Sequence, residues 1–285
     1  MLFADAHCHV NPFKGMGAKN IARKFKERNG WFLAIIGLSP WHYGLTPNYD
    51  NYVRAFHHVI KECELAKEEG LRTACLVGFH PADLDKLVHR YGLKVEQALG
   101  LAIRVLEYAI KLCKEGLADG IGEIGRPHYN IEPKFVVANE LIINHVFKRI
   151  KEEELECIVH LHLEQGGIVT VESIKMFTEI TRVNAEKILF HHSRPGLIEH
   201  VLSSGFQASL PGIKQLIKWG IERLEPVYVL ESDFLDDPNR PGVVVYPWEM
   251  IEYQQEILNK DKQYEEYLMK INIDNIVKLY GVEPP

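Results

Sequence analysis

The chain has 285 residues, of which 46% are hydrophobic and 10% aromatic, and its formal net charge is -6. This composition excludes disorder as the main state, and the mild acidity permits nucleic acid as a partner without favouring it. Five dispersed cysteines without a C-x-x-C pair exclude a disulfide framework and a zinc ribbon. Met1 leads into Leu-Phe-Ala-Asp without a secretory or membrane-spanning pattern, so we expect a soluble cytoplasmic protein with no membrane association.

Short apolar runs rich in Val, Ile and Leu recur along the whole chain, and longer segments with helical periodicity separate them. This alternation predicts a parallel sheet. Several runs are apolar in succession, as strands covered on both faces require. Eight strands are predicted, over 2–7, 31–38, 72–79, 119–123, 157–160, 187–190, 206–210 and 227–230.

Helices are predicted in the gaps, over 53–69, 95–114, 135–153 and 213–223. Eight strands with intervening helices favour an α/β fold, a single (β/α)8 TIM barrel. Because no Pro/Gly/Ser-rich linker divides the chain, we expect one domain over 1–285. The tail over 247–285 predicts extra C-terminal helices outside the barrel.

Ionisable residues accumulate where the predicted strands end, and the carboxyl ends of barrel strands meet at one rim. Seven of the 14 histidines lie at four such ends. The strand-end motifs are Asp5-Ala6-His7-Cys8-His9, Gly78-Phe79-His80-Pro81, Gly122-Glu123-Ile124-Gly125, His160-Leu161-His162, His191-His192 and Glu231-Ser232-Asp233. Their joint placement predicts a metal centre, although each motif alone also fits a turn, a cap or a core residue.

The first motif has the spacing of a metal site. In an extended strand His7 and His9 point the same way, so two imidazoles can bind one ion. Asp5 can add an oxygen or orient a ring nitrogen. Glu123, flanked by glycines, can bridge two cations without crowding.

In order and spacing these motifs resemble the TatD family of metal-dependent hydrolases, within the amidohydrolase-like TIM barrels. The match spans nearly the whole chain, and 274–281 looks like the family's closing helix. The resemblance implies two divalent cations. The implied metal ligands are His7, His9, Glu123 and Asp233 for one ion, and Glu123, His160 and a strand-six histidine for the second.

Some assignments stay open within the resemblance. Either His191 or His192 fits the sixth strand, and the spacing to the next helix favours His192. His162 stands where relatives usually carry a substrate-binding arginine, and His80 would face the substrate or an attacking water. Arg126 follows Glu123 where relatives commonly continue Leu-Asp-Tyr.

Asp5, His162, His191 and Arg126 are therefore further candidates for contact with a metal or the substrate. Arg126, Arg194 and Lys214 are candidate replacements for the missing phosphate contact, since a guanidinium pairs well with a phosphoryl group. The segment 41–43, Trp-His-Tyr, is either a platform for a substrate ring or a loop packed on its neighbours.

These residues predict hydrolysis by a metal-bound hydroxide, with Asp233 as the catalytic proton carrier. The ligand set suits Zn, Mn or Ni and also tolerates Mg. A phosphate ester, DNA included, is the preferred substrate. The first alternative is hydrolysis of a small amide, ester or lactone with the same metals, and the second is a metal-binding barrel without turnover. The sequence does not predict the oligomeric state.

Overall fold

Strands and helices alternate along the chain in a computed structural model that describes residues 1–240 and 244–285. The strands are β1 (Phe3–His9), β2 (Gly30–Ile36), β3 (Arg72–Val77), β4 (Gly120–Gly125), β5 (Ile158–His162), β6 (Ile188–Phe190), β7 (Gln207–Pro211), β8 (Val229–Glu231) and β9 (Phe234–Leu235). They form one parallel sheet in the order β8-β7-β6-β5-β4-β3-β2-β1-β9. Strands β1 to β8 correspond to the eight predicted strands.

The last two strands, β8 and β9, bring the two edges of the sheet together. Val229 of β8 pairs with Ser209 of β7, whereas Phe234 of β9 pairs with Cys8 of β1. Only two residues separate β8 from β9, so together they connect the two edges of the sheet. The predicted (β/α)8 barrel is confirmed. Strand β9 was not predicted, because two residues are too few to show a periodic pattern.

Helices follow the strands and cover the outside of the barrel. They are α1 (Gly17–Lys26), α2 (Tyr49–Glu68), α3 (Ala82–His89), α4 (Val95–Lys114), α5 (Pro133–Glu152), α6 (Ile168–Thr181), α7 (Ile198–Ser203), α8 (Lys214–Arg223), α9 (Pro247–Lys260), α10 (Glu265–Met269) and α11 (Asn275–Tyr280). The last three confirm the extra C-terminal helices. No helix in the described ranges combines the length and apolarity that crossing a membrane requires.

Apolar side chains on both faces of the strands hold this architecture together. Every residue of β2 is buried, as the predicted continuous apolar run requires. The C-terminal helices cover the amino-terminal ends of the strands, where Trp31 Nε1 donates to the carbonyl oxygen of Asn272 at 2.9 Å. The Tyr280 ring packs against Phe32, 4.6 Å between centroids. The assignment of 1–285 to a single domain stays a prediction.

Candidate metal centre

The carboxyl ends of the strands surround a cavity of about 310 Å³. Its polar lining consists of His9, Ser39, His42, His80, Lys86, Glu123, His128, Tyr129, His162, His191, Asp233 and Arg240. Residues more than 200 positions apart in the sequence meet here because all strands run the same way and end at one rim.

Glu123, at the end of β4, lies at the centre of a group of imidazoles. The Nε2 atom of His191 lies 3.0 Å from its carboxylate, and the Nε2 atoms of His7, His9 and His80 each lie 3.7 Å from it. Burial raises the pKa of Glu123, but His80 and His191 in particular outweigh this effect and hold it well below its usual value. The carboxylate is therefore charged, and each of its oxygens faces ring nitrogens.

Three of the surrounding imidazoles donate a hydrogen bond through Nδ1. The contacts of their Nδ1 atoms are the Ile36 carbonyl for His9 at 3.1 Å, the Arg126 carbonyl for His162 at 3.2 Å and a Glu231 oxygen for His191 at 2.9 Å. Carbonyl and carboxylate oxygens accept, so each Nδ1 donates, and in a neutral ring Nε2 then has a free lone pair. His191, held as a cation between Glu231 and Glu123, gains this lone pair only when it loses its Nε2 proton. This is the arrangement in which a histidine binds a metal through Nε2.

The loop after β4 also reaches this group. His128 Nδ1 lies 3.0 Å from His162 Nε2 and donates to it. A cation at His162 would replace this hydrogen bond.

His80 has the opposite tautomer. The backbone N–H of Ala82 donates to His80 Nδ1 at 3.1 Å, so Nε2 carries the ring proton. Burial lowers the pKa of His80 to about 3, which keeps the ring neutral. His80 therefore presents a hydrogen-bond donor to the cavity and not a metal-binding lone pair.

Asp233 lines the cavity, and His192 lies next to it outside the lining. His192 Nδ1 lies 3.2 Å from Asp233 Oδ2, and Asp233 Oδ1 lies 4.0 Å from His9 Nε2. Both have left-handed backbone conformations, with φ of 58° and 47°, a strain of about 1–3 kcal/mol per residue that clusters at functional sites. Burial raises the pKa of Asp233, but the contact with His192 and the charge of His191 lower it overall, so the carboxylate is charged.

Two buried acids support the rim from behind. Glu231 accepts through Oε2 from His191 Nδ1 and from Ser209 Oγ, and its Oε1 has no hydrogen-bond partner among residues 1–240 and 244–285. Asp5 accepts from the Ser232 backbone N–H at 2.8 Å and hydroxyl at 2.6 Å. Asp5 therefore fixes the turn between β8 and β9, and burial raises its pKa to about 7.

Several residues singled out from the sequence lie away from the cavity. His160 lies deeper in β5, between His7 and Tyr280. Arg126 is buried, and its guanidinium donates to Glu164 at 2.9 Å and Glu140 at 3.1 Å. Neither side chain lines the cavity.

The other two candidate phosphate contacts are engaged elsewhere. Lys214 pairs with Glu256 on the outer helices. Arg194 contacts His192 Nε2 at 3.1 Å, outside the cavity lining.

Residues outside the strand-end motifs also line the cavity, and no sequence motif predicted them. Lys86 on α3 places its ammonium 5.1 Å from the centroid of the Trp41 ring, which stacks on Tyr91. Trp41 is thus packed on its neighbours, while His42 reaches the cavity. Lys86 has no ion pair in the described part of the chain. Lys86 lies near the rim because the chain turns after His80. A pattern of strand residues does not predict that turn.

The donor set fits divalent cations. Groups whose ligand atoms lie within 4.8 Å of one another are His7/His9/Asp233, His80/Glu123/His162, His7/His191/Glu231 and His191/His192/Asp233. The Nε2 atoms of His7 and His9 are 3.2 Å apart, close to the roughly 3.3 Å between two nitrogens on one tetrahedral ion. Buried carboxylates such as Glu123 and Glu231 also need positive charge nearby.

A cavity rich in histidine and carboxylate at the carboxyl ends of barrel strands has the location of a barrel enzyme's active site. Solved structures share the fold. The TatD-like protein of Archaeoglobus fulgidus aligns with a TM-score of 0.62 at 15% identity, covering 98% of this chain and 100% of its own. An organophosphorus hydrolase variant of Deinococcus radiodurans aligns at 0.65 and 14% identity, covering 97% and 93%.

Sequence comparison identifies the family. The profile of the family described as TatD related DNase matches residues 4–281, so the chain belongs to this hydrolase family. An uncharacterized protein of Methanocaldococcus jannaschii is 28% identical over 291 residues, which cover 98% of this chain and 95% of the relative. The resemblance drawn from the motifs is confirmed.

Proposed function

We propose that this chain is a phosphoesterase that depends on two divalent cations. The ligands are His7, His9, Glu123 and Asp233 for one ion and Glu123, His162 and His191 for the other. The observation that carries this proposal is the convergence of the Nε2 atoms of His7, His9 and His191 on the Glu123 carboxylate. His162 and His191 thereby replace His160 and His192 as the proposed ligands.

Bound divalent cations supply Lewis acidity and make water a nucleophile near neutral pH. Asp233 is the group that takes the proton from the attacking water, since its carboxylate is charged and lines the cavity. The same carboxyl then delivers the proton to the leaving oxygen. His192 Nδ1, 3.2 Å from Oδ2, is the imidazole nitrogen placed to orient Asp233.

Substrate contacts come from the neutral His80 and from Lys86. His80 Nε2–H donates to a substrate oxygen, in keeping with the tautomer set by Ala82. Lys86 adds a positive charge at the mouth of the cavity, and Arg240 adds a second. Together with divalent cations, once bound, these groups would favour an anion, because a phosphate oxygen accepts strong hydrogen bonds from both kinds of donor.

The family description names deoxyribonucleases. The size and lining of the cavity in this chain favour a smaller substrate than duplex DNA. A cavity of about 310 Å³ accommodates a small phosphate ester or the end of a nucleic-acid strand, and not a duplex. The strand-five arginine is absent, and Arg126 is bound to acids. We therefore place small phosphate esters first among the substrates and nucleic-acid ends second.

The test is a substrate panel on the purified protein loaded with Zn, Mn, Ni or Mg. It compares chromogenic phosphate mono- and diesters, a single-stranded oligonucleotide, a lactone and an amide. We expect phosphate esters to be preferred, with Asp233→Asn slower by about 100-fold or more. Asp274→Asn, a change at an exposed acid, is the matched control. Preference for the lactone or amide would overturn the phosphoesterase proposal in favour of carbon-centred hydrolysis.

A further inference from the structure

One buried histidine takes no part in the proposed ligand set. His160, on β5, is fully buried beneath the cavity. Its Nε2 lies 3.0 Å from the Tyr280 hydroxyl on α11, and its Nδ1 lies 3.1 Å from Nδ1 of His7. The Tyr280 hydroxyl also lies 3.0 Å from the carbonyl oxygen of Ala6.

The backbone sets the direction of this chain of hydrogen bonds. A carbonyl oxygen only accepts, so the Tyr280 hydroxyl gives its single proton to Ala6 and accepts from His160 Nε2–H. The neutral His160 ring then has no proton on Nδ1, which accepts from His7 Nδ1–H. His7 Nε2 is left bare, 3.2 Å from His9 Nε2 and 3.7 Å from Glu123.

We propose that Tyr280 and His160 are positioning residues that hold His7 in the tautomer required for metal binding. The inference rests on the ligand role of His7 in the proposed function. His9 and His162 obtain the same tautomer from backbone carbonyls, which no side-chain change removes. His7 differs because its acceptor is a side chain, fixed in turn by the last helix of the chain.

Removal of the Tyr280 hydroxyl frees the His160 proton to move to Nδ1. Two N–H groups would then face each other across 3.1 Å, which favours the His7 tautomer with its proton on Nε2. That tautomer has no lone pair directed at the cavity. Outer hydrogen-bond partners of metal-bound histidines are typically worth about 10–100-fold in metal affinity.

The first experiment measures Zn²⁺ affinity by competition with a chelating dye. We expect Tyr280→Phe to weaken the affinity by about 10-fold or more. The matched control is Tyr267→Phe, because this hydroxyl lies 2.8 Å from the carbonyl oxygen of Leu224 and 3.0 Å from that of Gly220, on the outer side of the barrel. Thermal melting of both variants, each without metal, separates this effect from a general loss of stability.

Changes at His160 test the acceptor itself. An asparagine carbonyl can take the place of Nδ1, so His160→Asn should retain affinity within a few-fold, whereas His160→Leu should lose about 10-fold or more. Equal affinities for wild type, Tyr280→Phe and His160→Leu would overturn the proposal while leaving the metal centre intact.

The tautomer can also be observed without metal. Nitrogen-15 NMR of the metal-free protein should show His7 protonated at Nδ1 in the wild type, with the proton moved to Nε2 in Tyr280→Phe. The NMR result does not depend on metal binding. If the protein bound no metal, the proposed function would be refuted, but the NMR spectrum would still show which tautomer His7 adopts. An Nε2-protonated His7 in the wild type would refute the positioning role.

Discussion

The Nε2 atom of His191 lies 3.0 Å from Oε1 of Glu123, closer than any other imidazole nitrogen to that carboxylate in the described residues. In the absence of metal, burial lowers the pKa of His191, but Glu231 and Glu123 outweigh burial and hold it well above its usual value. His191 therefore occupies the space between two carboxylates as a cation. A divalent ion next to Glu123 would supply the positive charge that the His191 proton provides without it.

Alanine substitution distinguishes the two histidines that end the sixth strand. We expect His191→Ala to lower metal content by about one ion per chain. His192→Ala should leave metal content close to wild type and lower turnover by about 10-fold or more, because it releases Asp233. The measurement is metal content by mass spectrometry alongside turnover. Loss of metal in His192→Ala with full retention in His191→Ala would reverse the assignment.

The two histidines of the fifth strand should also differ. His162 has a ligand atom within 4.8 Å of one on Glu123, whereas both ring nitrogens of His160 contact other side chains, so His162→Ala should remove about one ion per chain. His160→Asn keeps an acceptor for His7 and should retain both ions at saturating metal. Titration of each variant with Zn²⁺ by calorimetry gives the stoichiometry. If His162→Ala bound as many ions as the wild type, His162 would not be a ligand.

Lys86 should affect substrate binding more than the chemical step. We expect Lys86→Met to raise KM for a phosphate ester by about 10-fold, the loss of one charge-assisted hydrogen bond, with kcat changed less. Lys24→Met is the matched control, because Lys24 also lies over a tryptophan ring, Trp248, but away from the cavity. Steady-state kinetics provides the test, and equal KM values for Lys86→Met and wild type would remove Lys86 from the substrate site.

Asp83 should make stability depend on pH. Burial raises its pKa from 3.8 to about 7, although Ser39 and Tyr52 donate to it at 2.8 Å. Between these values the folded protein keeps a proton that the unfolded chain has lost. The stabilisation is thus complete below about pH 4 and is lost as pH rises through about 7.

Asp83→Asn removes this dependence with little change in shape. From about pH 4 to about 7, we expect the unfolding free energy of the wild type to fall by roughly 3–5 kcal/mol relative to the variant. Urea unfolding at several pH values, without metal, measures the difference. Parallel curves for the two proteins would show that Asp83 titrates alike in both states.

Strand-end motifs predicted the barrel and the membership of most of the site, because parallel strands bring their ends to one rim. They could not rank residues by depth. His160 and His162 point to the same face of β5, and only the bond from His160 to Tyr280 shows which lies below the cavity. After β6 ends at Phe190, the strand alternation no longer applies, and the left-handed backbone at His192 turns that side chain toward Asp233.

Other residues near the site could not be predicted from the sequence, for a different reason. Lys86 and His128 come from segments outside the strands, whose course depends on packing and not on periodicity. The motif Glu231-Ser232-Asp233 gave no separate role to Glu231, although this residue accepts a hydrogen bond from His191. The cytoplasmic location stays a prediction.

Metal content is the most direct test of the binuclear centre. The purified protein, reconstituted with Zn, Mn or Mg and freed of excess ions, is measured by mass spectrometry beside Glu123→Gln, which keeps the size of the bridging side chain and removes its charge. We predict about two ions per chain for the wild type and less than about one for the variant. No bound metal in the wild type under any of these conditions would contradict the proposed centre.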